Sequence, residues 1–438
     1  MALLRALLGL LFFVAVAWVL SSHRRHISVR TIIWGIILQI GLAGVILKTD
    51  TGRDVLDTVS SGVTHFLDYG RQGASMVFGQ LTGFINDPAV TEGDPTKPVE
   101  VYSSFPAHLD PEVRQGVGIL FAFRALPTII YFSAVMAILY YLGIMQAVIW
   151  VMAKVMTWLM RVSGAESLAM AANVFVGQTE APLVIRPYIG RMTRSELMAM
   201  MTGGFATIAG SVLAVYIGFL GSEFAGHLLA ASFMSAPAAF VMAKIMIPET
   251  EEPATGRHVQ LKVEREASNV LDAAATGTSD GLKLYLNVLA MLIAFVAILG
   301  VINWMLGAIV IDGDPLTLQR VFGWVFAPVA WLMGVEWNDC QSFGTLLGTK
   351  IGVNEFVAFA ELGQMKNAAQ MSPRSLKMAA YALCGFANFA SIGIQIGGIS
   401  PLAPERRPEL SKLAFRAMLG GAFASWMTAT IAGALIDE

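Results

Sequence analysis

The chain has 438 residues, of which 56% are hydrophobic and only 14% are charged. Ordinary soluble domains carry about 25% charged residues, so this composition excludes a soluble globular protein and indicates a polytopic membrane protein. The net charge of −2 gives no sign of an anionic partner such as nucleic acid. Two cysteines and six histidines, without a metal-binding spacing, do not indicate metal or redox chemistry.

Apolar runs long enough to cross a hydrocarbon core of roughly 30 Å recur along the whole chain. The first run, ALLGLLFFVAVAWVL, lacks a small-residue cleavage site and leads directly into a second, so we interpret it as a helix and not as a signal peptide. The hydropathy predicts eight transmembrane helices, at residues 3–20, 31–48, 115–142, 192–220, 223–247, 280–306, 373–398 and 410–434. We expect no appended soluble domain.

Two further segments carry apolar residues at helical spacing beside polar ones. Residues 54–84 and 144–161 are therefore predicted to be amphipathic helices that lie in the membrane interface. Lys and Arg cluster after the first predicted span, before the fourth, after the fifth and before the eighth. Because cationic loops tend to stay in the cytoplasm, both termini and the polar stretch 86–102 are predicted to lie outside the cell.

A charged linker at 249–280 separates two halves that resemble each other in plan. In each half an acid-bearing apolar segment, NVFVGQTEAPLV or GTKIGVNEFVAFAEL, precedes a glycine-interrupted helix, MTGGFATIAGSV or CGFANFASIGIQIGG. Paired interrupted segments are typical of secondary transporters, whose binding sites lie near the bilayer midplane between repeats. This plan allows an inverted repeat, in which one half has the opposite orientation in the membrane. The predicted regions are N-terminal helices 1–142, a first repeat 143–248, a linker with one further helix 249–337, and a second repeat 338–438.

The acidic residues Glu180 and Glu355 decide how the two acid-bearing segments are interpreted. An ionised carboxylate in hydrocarbon is costly, and irregular backbone at membrane depth is tolerated only where it is buried or lines a cavity. We therefore predict two re-entrant hairpins, at 165–190 and 339–365, each followed by a broken helix, at 192–220 and 373–398. Both hairpin tips would bring polar side chains to one place.

The polar residues of these segments describe the expected ligand. They are Gln178, Thr179, Glu180, Glu355, Asn388 and Ser391, with Phe386 nearby. Acids, amides and hydroxyls without Arg or Lys suit a neutral ligand rich in hydroxyl and amide groups, and an aromatic side chain can stack on a flat ring. A second cluster, Asn173 and Thr207 with freed backbone carbonyls, offers neutral oxygen ligands for a monovalent cation such as Na⁺.

Six motifs, in this order along the chain, resemble the concentrative nucleoside transporters. They are GQTEAPLVIRPYI, MTGGFATIAGSVLAVYIGF, SFMSAPAAFVMAKIMIPETEE, PVAWLMGVEWNDC, LLGTKIGVNEFVAF and ALCGFANFASIGIQIGG. The resemblance extends from about residue 115 to the C-terminus and, more weakly, back to residue 31. The short N-terminal region resembles the bacterial members of the family.

The resemblance implies an all-α membrane protein with eight spans, two re-entrant hairpins and interfacial helices, assembled as a homotrimer of scaffold and transport domains in the cell inner membrane. By position, Gln178, Thr179 and Glu180 would contact the base, with Val212 alongside, and Glu355, Asn388 and Ser391 would hold the ribose, with Phe386 lining the pocket. Asn173 and Thr207 by side chain, and Val176 and Ile208 by carbonyl, would bind Na⁺. The implied activity is elevator-type symport of uridine, cytidine and adenosine with Na⁺.

Structural roles remain open for several of these residues. Glu180 and Glu355 could pair with Arg186 and Lys350, and small polar residues such as Asn388 and Ser391 often hold helices together. Asn173 and Thr207 could pack in the same way while H⁺ is the coupling ion. Four other acids near helix ends are interpreted as interfacial charges: Glu196, Glu223, Glu336 and Glu361.

Two other classes of function compete with an ion-coupled importer. A passive channel or facilitator would equilibrate the substrate and never concentrate it. An intramembrane enzyme is the weakest alternative, because Ser391 has no partner base in the sequence and His227 lies at a helix end.

Overall fold

The protein is described by a computed structural model that covers residues 2–78, 84–85, 99–100, 121–124, 126–256, 267–311 and 313–436. Within these residues the fold is built almost entirely from α-helices. Their bounds are α1 Ala2–Val19, α2 Val29–Lys48, α3 Asp50–Phe78, α4 Phe121–Arg124, α5 Thr128–Tyr141, α6 Ile144–Met160, α7 Gly164–Asn173, α8 Ala181–Val184, α9 Arg186–Ile189, α10 Arg194–Ala206, α11 Gly210–Leu220, α12 Ala225–Met246, α13 Val270–Leu306, α14 Leu318–Leu332, α15 Cys340–Gly352, α16 Glu355–Asn367, α17 Pro373–Leu383, α18 Phe389–Ile399 and α19 Arg407–Leu435.

Two short antiparallel strand pairs interrupt the helices. Strand β1 (Phe84–Ile85) pairs with β2 (Val99–Glu100), and β3 (Val310–Ile311) pairs with β4 (Asp314–Pro315). The interior of the predicted outside loop 86–102 and the first residues of the third predicted span, 115–120, lie outside the described residues.

The membrane-spanning character of the helices follows from their length and exposed apolar faces. Five described segments are long and apolar enough to cross a membrane, namely α2, α10 with α11, α12, α13 and α19, and they match five predicted spans. Helices α5 and α6 meet at 76° and count as one more only if the bent pair is a single span. Helices α1 and α18 are apolar but shorter. Large apolar side chains such as Leu4 and Trp304, 66% and 80% exposed, face outward as a lipid-facing surface requires.

Helix boundaries differ from the sequence prediction at two places in the middle of the chain. Helix α13 begins at Val270, ten residues before the predicted 280, because Asn269 caps it by accepting a hydrogen bond from the Asp272 amide at 3.0 Å. The linker is correspondingly shorter than predicted. Helix α14 was not predicted, because its 15 residues are too few to span and include an internal Pro328.

The two halves repeat one order of elements. The first contains α6, a hairpin formed by α7 to α9, a helix broken into α10 and α11, and the long helix α12. The second contains α14, a hairpin formed by α15 and α16, a helix broken into α17 and α18, and the long helix α19. The unpredicted helix α14 therefore has the place in the second half that α6 has in the first.

The two broken helices unwind in different ways. In the first, Thr207 and Ala209 adopt extended backbone conformations between α10 and α11. In the second, Gly385 has a φ of +140°, which side-chain-bearing residues rarely adopt. A Cβ at Gly385 would also lie 2.8 Å from the carbonyl oxygen of Phe205, so the unwound segment of the second half packs directly on the first half.

A buried cluster of charged residues lies where α7 and α10 begin and α12 ends. The Lys244 ammonium lies 2.7 Å from the Glu166 carboxylate, and the Ser163 hydroxyl donates to Glu196. Ser163 and Thr193 form capping boxes with Glu166 and Glu196, which explains why two helices begin here. The interfacial interpretation of Glu196 is therefore wrong, since this side chain is 1% exposed.

Candidate functional site

Glu355 lies at the centre of the polar interior of the fold. It is the first residue of α16, directly after Asn354, which caps the helix by accepting a hydrogen bond from the Val357 amide at 2.9 Å. The carboxylate of Glu355 accepts two hydrogen bonds, from Asn388 Nδ2 to Oε2 at 2.6 Å and from the Tyr216 hydroxyl to Oε1 at 3.3 Å. The second hairpin thus meets both broken helices at one carboxylate.

Asn388 is held in place by the break in the second broken helix. It is the N-cap of α18, where its Oδ1 accepts a hydrogen bond from the Ser391 amide at 2.8 Å. Because the oxygen is used for capping, the Nδ2 end of the amide is directed towards Glu355. Ser391 and Phe386, on either side of Asn388, are both buried, and the Ser391 amide is bonded to the asparagine that contacts Glu355.

Tyr216 is a member of this cluster that the sequence analysis did not identify. It lies on α11, one helical turn after Val212, and is fully buried. Its ring stacks on Phe359 with centroids 4.0 Å apart and packs edge-on against Phe356. The sequence feature that could have identified it is a tyrosine in an apolar run, four residues after the predicted site residue Val212 and so on the same helix face.

A purely structural role would pair Glu180 with Arg186 and Glu355 with Lys350. The contacts of Glu180 and Lys350 in the structure are different ones. Lys350 Nζ donates to the Ala382 carbonyl at 2.8 Å and to the Ser425 hydroxyl at 2.9 Å. Glu180 accepts a hydrogen bond from the Gly177 amide at 3.1 Å. The carboxylates of Glu180 and Glu355 therefore keep acceptor capacity that a ligand can use.

The tip of the first hairpin packs against the second broken helix. Gln178 is buried, and a Cβ on Gly204 would lie 2.9 Å from the Gln178 Cβ and 2.5 Å from Gln395 Nε2. Thr179 contacts Gly398 in the same way, since a Cβ there would lie 2.5 Å from the Thr179 methyl. Each half therefore supplies residues to the other.

Gln395 is the second site residue that the sequence analysis missed. Its side chain has no exposed surface, and its Nε2 donates to the Met201 carbonyl at 3.0 Å. The Oε1 atoms of Gln395 and Gln178 are both buried without a hydrogen-bond partner. The sequence feature that could have identified Gln395 is its position in an apolar helix, four residues after Ser391. Buried amide groups require hydrogen-bond partners.

A cavity of about 950 Å³ lies beside the first hairpin, within the range of roughly 300–1,000 Å³ found for small-molecule sites. Its wall is formed by α5, the first hairpin, the start of α11 and the start of α13. Among the predicted site residues, Glu180 and Val176 line it, accompanied by Tyr140, Gln146 and Asp280. The cluster around Glu355 is not part of this wall, so only the base-contacting hairpin of the predicted site faces the cavity.

Asn173 and Thr207 lie against the same glycine, at the place predicted for a cation. Asn173 is 1% exposed, and neither its Oδ1 nor its Nδ2 has a hydrogen-bond partner in the part of the chain that the structure describes. Its Nδ2 lies 3.1 Å from where a Cβ of Gly203 would be, and the Thr207 hydroxyl donates to the Gly203 carbonyl at 2.9 Å. A buried amide without partners is costly and fits a bound ion that accepts its oxygen as a ligand.

The backbone around Asn173 adds carbonyl oxygens. Val176 and Ile208 lie in the two unwound segments next to Asn173 and Thr207, and no described residue donates a hydrogen bond to either carbonyl. These segments are joined by the Gly210 amide, which donates to the Phe175 carbonyl at 2.9 Å. Neutral oxygens from unwound helices are the ligands that Na⁺ binds in transporters.

Comparisons with known proteins place these features in one family. Residues 227–433 match the family described as "Na+ dependent nucleoside transporter C-terminus", and residues 8–81 match its N-terminal counterpart. Residues 122–223 match a family described as "Nucleoside recognition".

Similar proteins occur in bacteria and in mammals. The chain is 41% identical to an "Uncharacterized transporter" of Haemophilus influenzae over 100% of this chain and 98% of that protein. It is 41% identical to the "Uncharacterized transporter YutK" of Bacillus subtilis over 100% of both. The "Sodium/nucleoside cotransporter 1" of Rattus norvegicus is 39% identical over 98% of this chain, which spans 63% of the rat protein.

Solved structures of CNTnw share the fold in more than one state. The inward-facing substrate-bound state has a TM-score of 0.88 at 39% identity, with 100% of both chains covered. A variant of CNTnw in an outward-facing state has a TM-score of 0.89 at 39% identity, covering 100% of this chain and 99% of that chain.

Proposed function

Since the chain belongs to the family of Na⁺-dependent nucleoside transporters, we propose that it is a secondary active importer that couples the uptake of nucleosides to the Na⁺ gradient. Uridine and cytidine are the proposed substrates, with adenosine as a further one. The protein acts as a transporter and not as an enzyme. Its proposed location is the cell inner membrane, with both termini outside.

The observation that carries this proposal is the cluster around Glu355. A buried carboxylate held by Asn388 at 2.6 Å and by Tyr216 at 3.3 Å accepts hydrogen bonds from both broken helices. A hydroxyl-rich ligand such as a ribose can take over such bonds through its own O–H groups. The unpartnered Oε1 of Gln178 on the first hairpin supplies an acceptor for the N3–H of uracil or for the exocyclic amino group of cytosine or adenine.

Coupling to Na⁺ is supported by the buried, unpartnered amide of Asn173 and by its position on the arm that leads to the hairpin tip. Binding of an ion there would hold Val176 and the neighbouring tip residues in their binding conformation. This gives a physical reason for coupling, because the nucleoside binds to a tip that the ion has ordered.

Alternating access of the elevator type fits the distribution of contacts. The proposed transport domain consists of the two hairpins with the two broken helices, and α1 to α5 with α13 belong mainly to the proposed scaffold. The cavity lies between these groups, with Glu180 on one side and Asp280 on the other. We further propose that three copies form a homotrimer through their scaffold domains.

The proposal is tested by radiolabelled uridine uptake into proteoliposomes that contain the purified protein. Three conditions are compared: an inward Na⁺ gradient, an inward H⁺ gradient, and neither. Accumulation above equilibrium only with Na⁺ is expected. Accumulation only with H⁺ would retain nucleoside import and refute the Na⁺ site, whereas equilibration in all three conditions would identify a passive facilitator or channel.

A further inference from the structure

Lys350 is a buried cation whose role is not explained by nucleoside binding. It lies in the last turns of α15 and has no exposed surface. Its ammonium donates to the Ala382 carbonyl at 2.8 Å and to the Ser425 hydroxyl at 2.9 Å, so both partners are neutral oxygens. A buried charge without a bonded counter-ion is costly, so the two neutral oxygens that accept hydrogen bonds from the ammonium are the groups that hold a cation here.

The oxygens around Lys350 come from a helix end and a neighbouring long helix. Ala382 is next to the last residue of α17, where the helix unwinds, and carbonyls of a last turn lack partners within their own helix. Ser425 lies on α19, the long helix after the break. The Lys350 side chain itself enters from the first arm of the second hairpin.

The same three elements of the first half surround the predicted Na⁺ site. Asn173 ends the first hairpin arm, α7, and Thr207 ends α10, where the first broken helix unwinds. On the long helix α12, the Ser232 hydroxyl donates to the Val174 carbonyl at 3.1 Å, directly beside Asn173. By element, the asparagine with unpartnered atoms in the first half thus corresponds to a lysine in the second half whose ammonium donates two hydrogen bonds.

We infer that Lys350 is a built-in cation, and that its ammonium has the place in the second half that Na⁺ has in the first. The comparison with Na⁺ rests on the proposed function, but the cation-binding character of the surroundings of Lys350 does not. Each half then needs one positive charge between hairpin, break and long helix. The second half carries its charge permanently, on the hairpin arm that leads to Glu355.

The inference is tested by shortening the side chain in Lys350→Ser and offering a small free cation in its place. The full-length protein is purified in detergent, and its thermal midpoint is measured in choline chloride, NaCl or methylammonium chloride. We expect a lowered midpoint in choline and recovery with methylammonium. Above the dissociation constant, each tenfold rise in methylammonium should raise the folded-to-unfolded ratio about tenfold.

Controls separate a specific site from a general salt effect. The wild-type midpoint should not respond to methylammonium, because the Lys350 ammonium already fills the site, and tetraethylammonium should be too large to help Lys350→Ser. Lys366→Ser removes a lysine from the other arm of the same hairpin, where the side chain is 29% exposed and water can replace it. This variant should show no response to methylammonium.

Two results would overturn the inference: Lys350→Ser with wild-type stability in choline, or a destabilised but folded variant whose midpoint does not respond to methylammonium. If Lys350→Ser yields no folded protein, Ser425→Ala decides. It removes one of the two ammonium partners, so a lowered midpoint is expected and an unchanged one contradicts the inference. Because no nucleoside or gradient is used, a failure of the proposed import would be seen separately, in the uridine uptake experiment, and a failure of the proposed Na⁺ site as Na⁺ stabilisation that Asn173→Ala leaves intact.

Discussion

At the scale of single residues, the candidate site is characterised by which buried polar atoms have hydrogen-bond partners and which do not. Glu355 binds one residue of each broken helix, and its two partners, Asn388 and Tyr216, are themselves fixed by a helix cap and by ring stacking. Gln178 and Asn173 show the opposite situation, because they are buried with atoms that have no hydrogen-bond partner among the described residues. Satisfied groups therefore position the candidate site, and these unsatisfied ones are the groups with which we expect a ligand to interact.

Neutralising Glu355 should nearly abolish uptake. In Glu355→Gln one oxygen becomes an amide donor that faces the Asn388 donor, and the charge-assisted bonds are lost. Such a loss costs on the order of 1.5–3 kcal/mol, or roughly a 10- to 150-fold reduction in the kcat/KM of uridine uptake. The measurement is uptake per reconstituted protein. Glu361→Gln, on the same helix and bonded to Gln319, is the matched control, and wild-type uptake by Glu355→Gln would refute the assignment.

Nucleosides that lack a ribose hydroxyl should bind less well than ribonucleosides. A site built around Glu355, Asn388 and Ser391 leaves buried polar groups unpaired when the 2′- or 3′-hydroxyl is missing, and such groups are costly. Competition by unlabelled uridine, 2′-deoxyuridine and 3′-deoxyuridine against labelled uridine measures the difference. Equal inhibition by all three compounds would place the ribose elsewhere.

At the scale of elements, each hairpin is positioned by the break in a neighbouring helix. Gly203 is in the last turn of α10, between Met170 and Asn173 of the first hairpin arm, and a Cβ there would lie 2.7 Å from the Met170 sulfur. The same Cβ would lie 3.1 Å from Asn173 Nδ2. Close packing of arm on helix therefore sets the geometry of the predicted ion site.

Gly203→Ala should weaken the dependence of transport on Na⁺. The added methyl displaces the Asn173 amide by a few tenths of an ångström, which is large for an ion site that needs defined oxygen distances. We expect a higher Na⁺ concentration for half-maximal uptake, by several-fold, with nearly unchanged uptake at saturating Na⁺. Gly44→Ala, at a helical glycine with open space around it, should behave as wild type. An unaltered Na⁺ dependence in Gly203→Ala would show that the contact between Gly203 and Asn173 does not set the geometry of an ion site.

At the scale of the whole molecule, the cavity lies between the first hairpin and helices α5 and α13. Its wall includes Thr276 and Asp280 from the start of α13, which follows the linker predicted to be cytoplasmic. If that linker is cytoplasmic, as predicted, the cavity lies on the cytoplasmic side, and we expect an inward-facing arrangement. The substrate would then be released past Glu180 into the cytoplasm.

This arrangement predicts that a cysteine on the cavity wall is reached from the cytoplasm. The two native cysteines are buried, so Thr276→Cys provides a single accessible thiol. We expect labelling by a charged thiol reagent in inside-out vesicles and slower labelling when uridine is present. Leu271→Cys, on the same helix and 82% exposed, should label without protection by uridine. Labelling of Thr276→Cys only from the outside would show that the predicted orientation of the chain is wrong.

Much of the fold could be predicted from hydropathy because spans are long, local and continuous in sequence. Five predicted spans match described helices, and the re-entrant hairpins follow from acids in apolar runs. Helix α14 could not be predicted in this way, since an amphipathic helix with an internal proline has no strong local signal. The early start of α13 was missed because a single capping residue, Asn269, extends a helix into polar sequence.

The sequence by itself determined the membrane class, the two-half plan, the family resemblance and most candidate site residues, because these depend on residue types and their local order. Only the tertiary structure revealed that Tyr216 and Gln395 join the site, that Lys350 binds Ala382 and Ser425, and that Glu196 is buried. These contacts join residues 32 to 194 positions apart in the chain. Which buried polar groups meet is decided by the packing of helices from different parts of the chain, and local pattern does not encode that packing.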